Sequence, residues 1–172
     1  MSVRGVGALV ALATSAGCWL GVPPLQNAPV SGTWSMSIKN GSDACMTDGW
    51  MPGAVSSFEI KLQQFGEDNE QVSAELQGIL GLAFWLGVGS STLTGRIEGD
   101  ELSLTLLGAK DEMLRGCTYR REVRVTARVQ SDRLRDGRIT HIIRTDAACP
   151  GISGCELQQT FDGTRIDVPV AR

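Results

Sequence analysis

Leu93-Thr-Gly-Arg-Ile97-Glu98-Gly99-Asp100-Glu101-Leu102-Ser-Leu104-Thr-Leu106 decides the fold. Apolar residues fall on every second position on both sides of Gly99-Asp100, a two-residue hairpin signal with Gly first. Pairing outward from that turn sets Ile97 opposite Leu102, Gly95 opposite Leu104 and Leu93 opposite Leu106. One face of the hairpin is therefore apolar throughout and the other polar. A slip of one residue would exchange the faces, so burial of one side pins the register.

The same period of two recurs on either side. Trp34, Met36 and Ile38 alternate with polar residues, as do Phe58, Ile60 and Leu62, and Val72, Ala74 and Leu76. Later come Val123 to Val129, Ile139 to Ile143, and Leu157 to Phe161. That is eight amphipathic strands with no convincing helix. A hairpin around Gly66–Glu70 is expected to pair Leu62 with Val72, Ile60 with Ala74 and Phe58 with Leu76. A third, around Ser131–Gly137, is expected to pair Val129 with Ile139, Ala127 with His141 and Val125 with Ile143.

Eight strands with one apolar face close into an antiparallel up-and-down β-barrel, which leaves no exposed edge. The connections then sort by end. Short ones lie at 66–70, 98–100 and 131–137, and long ones near 40–56, 78–90, 108–117 and 145–155. Strands of mostly five to seven residues and 5% aromatic content speak against a membrane-spanning barrel, which needs about 9–11 residues per strand and aromatic girdles.

Residues 1–17 form an export signal: Arg4, an uncharged and mostly apolar run from Gly5 to Ala16, then small residues before Cys18. This resembles a bacterial lipoprotein signal, and the resemblance implies that Cys18 is acylated and becomes the first residue of the mature chain. Ser15 stands where that family most often has a branched aliphatic residue, so an ordinary secretory cut nearby is the competing reading. Trp19 after the cysteine implies the outer membrane, with the domain facing the periplasm or the cell surface. Residues 18–31 carry three prolines and read as a tether, and 32–172 as the barrel domain. A membrane partner through the acyl anchor follows.

Gly32-Thr33-Trp34 resembles the Gly-x-Trp that opens the barrel in lipocalins and their calycin relatives, including avidin-like proteins. The resemblance covers about residues 32–163 and rests also on strand number and meander order; the lipocalin Thr-Asp-Tyr motif is absent. It implies that Trp34 packs across the tight end under an arginine, Arg165 or Arg144. It also implies a small apolar or amphipathic ligand, or a lipid, held inside the barrel.

The inner face offers a few polar groups for such a site. His141 and Gln159 come opposite each other if the last hairpin is centred on residue 150, and the alternative is a satisfied buried pair. Tyr119 and Arg121 share the inward parity of Val123 near the open end, where Arg121 could meet a carboxylate or phosphate. The apolar stretch 78–89 brings Phe84 and Trp85, as a lid over the mouth, as inward extensions of two strands, as a surface for a partner or membrane, or buried against the barrel. Asn40-Gly41-Ser42 matches a glycosylation sequon but reads as a turn.

Four cysteines remain after Cys18, an even number that reads as two disulfides in an exported chain. Cys149 with Cys155 and Cys45 with Cys117 is the favoured pairing among three. A lone His, no phosphate loop and no ligand cluster leave catalysis, metals and cofactors without support, and Asp43 near Asp48 is too common a pairing to count. Nucleic acid is excluded as a partner by 16 basic against 19 acidic side chains. Nine of thirteen arginines lie between Arg115 and Arg144, either a basic patch or a solvated strand face. The alternative function is a non-enzymatic module presenting its stapled loops to a protein partner.

Overall fold

A computed structural model describes residues 26–47, 49–78, 90–114, 117–145 and 154–166. Eight strands run β1 (Gly32–Asp43), β2 (Val55–Phe65), β3 (Gln71–Leu76), β4 (Thr92–Glu98), β5 (Glu101–Leu114), β6 (Cys117–Gln130), β7 (Arg133–Thr145) and β8 (Cys155–Arg165). They pair antiparallel in chain order, and β8 returns to β1 to close the barrel.

The Gly99-Asp100 hairpin has the expected register, with Ile97 opposite Leu102 and Gly95 opposite Leu104. Gly99 adopts φ 62°, which a residue without a Cβ takes at no steric cost. The β2–β3 hairpin keeps its faces, but the register is displaced by two: Leu62 meets Ala74 and Ile60 meets Leu76. All five residues from Gly66 to Glu70 are spent in the turn, since Phe65 pairs with Gln71.

The third hairpin departs further. Its turn is only Ser131-Asp132, because Gln130 pairs with Arg133; Val129 meets Leu134, Val125 meets Ile139 and Val123 meets His141. Ala127 is thus not opposite His141. The Asp136-Gly137 pair that looks like a turn is a bulge in β7, with Asp136 at φ 53°. Burial explains the choice, since a long loop here would expose Leu134, which is 1% exposed. Gly137 is required at the bulge, because a Cβ there would sit 2.5 Å from the Phe161 ring.

The expected long loop near 108–117 is also replaced. The β5–β6 ladder continues to Leu114 opposite Cys117, after a bulge between Gly108 and Glu112 that absorbs the break in alternation. The C-terminal ends of β1, β3 and β7 lie at the same end as that extended hairpin. The turns 66–70, 99–100 and 131–132 lie at the other.

Inward positions build one core that includes Trp34, Leu62, Val72, Ile97, Leu106 and Leu134. Outward positions include Glu59, Lys61, Glu75, Arg96 and Ser103, which is the inverse of the apolar outer band of a membrane-spanning barrel.

The closed end is plugged by the chain before β1. Val30 is fully buried, and its carbonyl accepts a 2.9 Å hydrogen bond from the Trp34 indole. Asn27 caps two turns at once, donating to the Asp68 carbonyl and accepting from the Gly99 amide. The Arg165 guanidinium lies 4.8 Å above the Trp34 ring and donates to the Pro29 carbonyl. Arg165 therefore packs on the tryptophan, and Arg144 sits on the outer wall with Glu122. The last residues of the expected tether are thus part of the packed domain.

Candidate functional site

Above this plug the barrel is not filled. A cavity of about 280 Å3 occupies its middle and open half. Met36, Ile60, Ala74, Leu104, Val125 and Phe161 form its apolar depth. Alternation along β1, β2, β3, β5, β6 and β8 turns these side chains inward, and small Ala74 leaves space beside them. Phe58, Ser56 and Trp50 stand at its upper part, with His141 and Gln159 on the wall.

His141 and Gln159 meet as expected, but diagonally. His141 is opposite Leu157 and Gln159 opposite Ile139, while His141 Nε2 and Gln159 Oε1 lie 3.0 Å apart. Diagonal neighbours on one face of a sheet are within reach of long side chains. Gln159 Nε2 donates to Asn40 Oδ1 at 2.8 Å, and Asn40 Nδ2 donates to the Met51 carbonyl at 3.3 Å.

The direction of this relay is fixed from its outer end. A carbonyl only accepts, so Asn40 presents its NH2 to Met51 and its oxygen to Gln159; Gln159 then presents its own oxygen to His141. The imidazole must therefore carry its proton on Nε2 to complete the bond. Burial pushes the His141 pKa below its ordinary value, the Gln159 hydrogen bond works the other way, and the nearby Arg121 charge adds to the lowering. The ring is half-buried by area because one side faces the cavity.

Asn40 and Trp50 were not among the expected site residues. Asn40-Gly41-Ser42 is strand, not turn, and pairs Asn40 with Gln159 across the β1–β8 seam. Asn40 has the parity of Trp34, Met36 and Ile38, so carrying the alternation one step further would have found it. Trp50 comes from the β1–β2 loop and carries no periodic signal. Its indole donates to the Gly41 carbonyl at 3.1 Å, folding the ring over the mouth.

The other expected residues divide. Arg121 sits in β6 opposite Gly108 and Ile143, exposed and outside the cavity lining. Tyr119 is on β6 opposite Glu112 and Thr145, and its side chain lies outside what is described. Phe84, Trp85, Cys149 and Asp48 fall outside the described residues, as does the side chain of Cys117. Asp43 is a turn-former, its carboxylate accepting from the Cys45 and Thr47 amides at 2.7 and 2.6 Å.

Cys45 is bonded to Cys155, so the favoured pairings with Cys117 and Cys149 are both wrong. Asp43 pairs with Leu157, and the Ala44 amide donates to the Glu156 carbonyl; two residues further on, Cys45 and Cys155 face each other. Only closure of the first strand on the last brings them together. The bond ties the Trp50 loop to the wall that carries Gln159.

Four arginines of β6 and β7 pair on the outer wall: Arg124 and Arg144 with Glu122, Arg128 with Glu101, Arg135 with Asp162. Exposed pairs of this kind are worth about 0–1 kcal/mol each.

No family model, curated protein or solved structure matches this chain.

Proposed function

We propose that this chain is an exported, lipid-anchored binding protein that holds a small apolar or amphipathic molecule in its barrel. The observation that carries the proposal is the cavity: about 280 Å3, walled by Met36, Ile60, Leu104 and Phe161, with His141 and Gln159 near its mouth. Small-molecule sites are apolar pockets of about this size or larger with a few fixed polar groups. The Arg165–Trp34 stack supports the likeness to lipocalins drawn from Gly32-Thr33-Trp34. Arg121, at the exposed rim, is not assigned to the ligand.

Acylation at Cys18 would set the closed end toward the outer membrane. Eight Cα–Cα steps lead from Cys18 to Gln26 and span at most about 29 Å. The mouth would then face away from the lipid. A second reading, a protein-interaction module without a ligand, is favoured by exposed Met46, Met51 and Val55 on and beside the stapled β1–β2 loop.

Native mass spectrometry of the full chain taken from its own membrane separates the two. A co-purifying small molecule supports the carrier, and a stoichiometric protein with an empty barrel supports the module. Replacing Cys18 with Ser should release the protein from membranes; if it stays bound, the anchor is wrong.

A further inference from the structure

We infer that the barrel selects amphiphiles with an uncharged hydrogen-bonding head, a hydroxyl or a carboxamide, over carboxylates, phosphates and amines, with a short tail in the apolar depth of the cavity. This rests on the binding function proposed above and assigns its ligand class. Three observations carry it.

The first is the lining. Among the described residues that bound the cavity, none is an acid, a lysine or an arginine. An ionised head drawn inside would lose its water and find no counter-charge, and that loss is large compared with an unpaired neutral group. Arg121, whose charge reaches His141 and lowers the imidazole pKa, is exposed rather than part of the lining. An anionic head drawn into the apolar depth therefore gains no direct ion pair there. Asp43, at the end of β1, is outside the lining, its carboxylate accepting from the Cys45 and Thr47 amides.

The second is the relay. Its direction leaves Gln159 Oε1 with one hydrogen bond from His141 and a second lone pair on the cavity wall. A head group that donates can use that lone pair. The Ser56 hydroxyl at the mouth both donates and accepts. A hydroxyl or carboxamide satisfies both, whereas a carboxylate only accepts and an ammonium only donates.

The third is size. At ~30 Å3 per water-sized group, 280 Å3 admits roughly nine such groups. The part of a tail held between the described walls is therefore short, about eight carbons.

Calorimetric titration of the full-length chain with octan-1-ol, octanamide, octanoate and octylamine at about pH 8 tests this, since the acid and amine are then charged and the imidazole neutral. The alcohol and amide should bind roughly tenfold tighter than either ion. Equal or tighter binding of octanoate or octylamine overturns the head-group assignment and leaves the barrel a binder. No binding of any of the four overturns the binding function itself. Gln159→Glu, which keeps the shape of the relay and adds a charge, should turn the preference toward octylamine; an unchanged order would also overturn the assignment. If that variant does not fold by circular dichroism, the series on the unaltered chain still decides.

Discussion

At the closed end, Trp34 is fully buried, its indole bonded to Val30 and its face covered by Arg165, while Asn27 ties two turns together. At the open end, Trp50 is half-buried over a cavity, held by one bond to Gly41, and its loop depends on a disulfide. Two tryptophans on one barrel thus do different work. The first fills the space it spans; the second leaves space beneath it. The contrast shows where folding free energy is concentrated and where the chain leaves a cavity unfilled.

The sharpest way to break the contrast is to remove each tryptophan. Trp34→Ala deletes a fully packed ring, its hydrogen bond and its cation–π partner, and should cost about 3–5 kcal/mol in urea unfolding. Trp50→Ala should cost under about 1.5 kcal/mol, because the ring is partly in water already. Similar losses from the two would show that the ends are not differently built.

The next largest effect concerns the staple. Cys45 and Cys155 enclose nearly the whole barrel, at a sequence separation of 110. A closed loop of that length restricts the unfolded chain by about 4–5 kcal/mol in the entropic account, and measured losses run about 2–5 kcal/mol. The double change to Ala should fall in that range. It should also raise hydrogen exchange at the β1–β2 loop while the amides around Trp34 keep their protection.

These two experiments touch residues of unequal legibility in the sequence. The Gly99-Asp100 hairpin was readable to the residue because both arms alternate without a break. Eight strands, a closed barrel and two unlike ends followed from the same period. The turn expected around Ser131–Gly137 is shorter because turns and bulges use the same residue types: Asp136-Gly137 is a bulge, and the burial of Leu134 separates the two. The disulfide misled for another reason: hairpin logic pairs neighbours in sequence, and the β1–β8 seam joins the ends of the chain. That seam also hid Asn40. His141 and Gln159 were legible as polar residues on an apolar face, though their diagonal contact depended on a register no turn in that loop announced.

The relay offers a smaller effect of the same kind. His141→Leu leaves Gln159 Oε1 without its donor, and Gln159→Leu leaves both His141 and Asn40 short of a partner. Either change should cost about 1–3 kcal/mol. Combining them replaces the buried pair by apolar surface and should cost less than the sum, with a coupling of about 1–2 kcal/mol in a double-mutant cycle. Additive costs would mean that the two side chains do not act as a pair.

The smallest effect is the one with pH, and it is clean because His141 is the only histidine in the chain. Its folded pKa lies below the unfolded value of 6.5, chiefly through burial, with Arg121 adding to the lowering and Gln159 opposing it. The folded state therefore holds fewer protons than the unfolded one between those two pKa values. Linkage then makes stability fall as pH drops below about 6.5, levelling once pH is under the folded pKa. Above 6.5 this group contributes no slope. In His141→Leu, the part of the loss that begins near 6.5 should vanish, leaving only the fall at lower pH where carboxylates titrate. A ligand seated against the relay favours the neutral ring, so it should push the imidazole NMR titration lower still. A titration unmoved by ligand would place the bound molecule elsewhere in the barrel, away from His141 and Gln159.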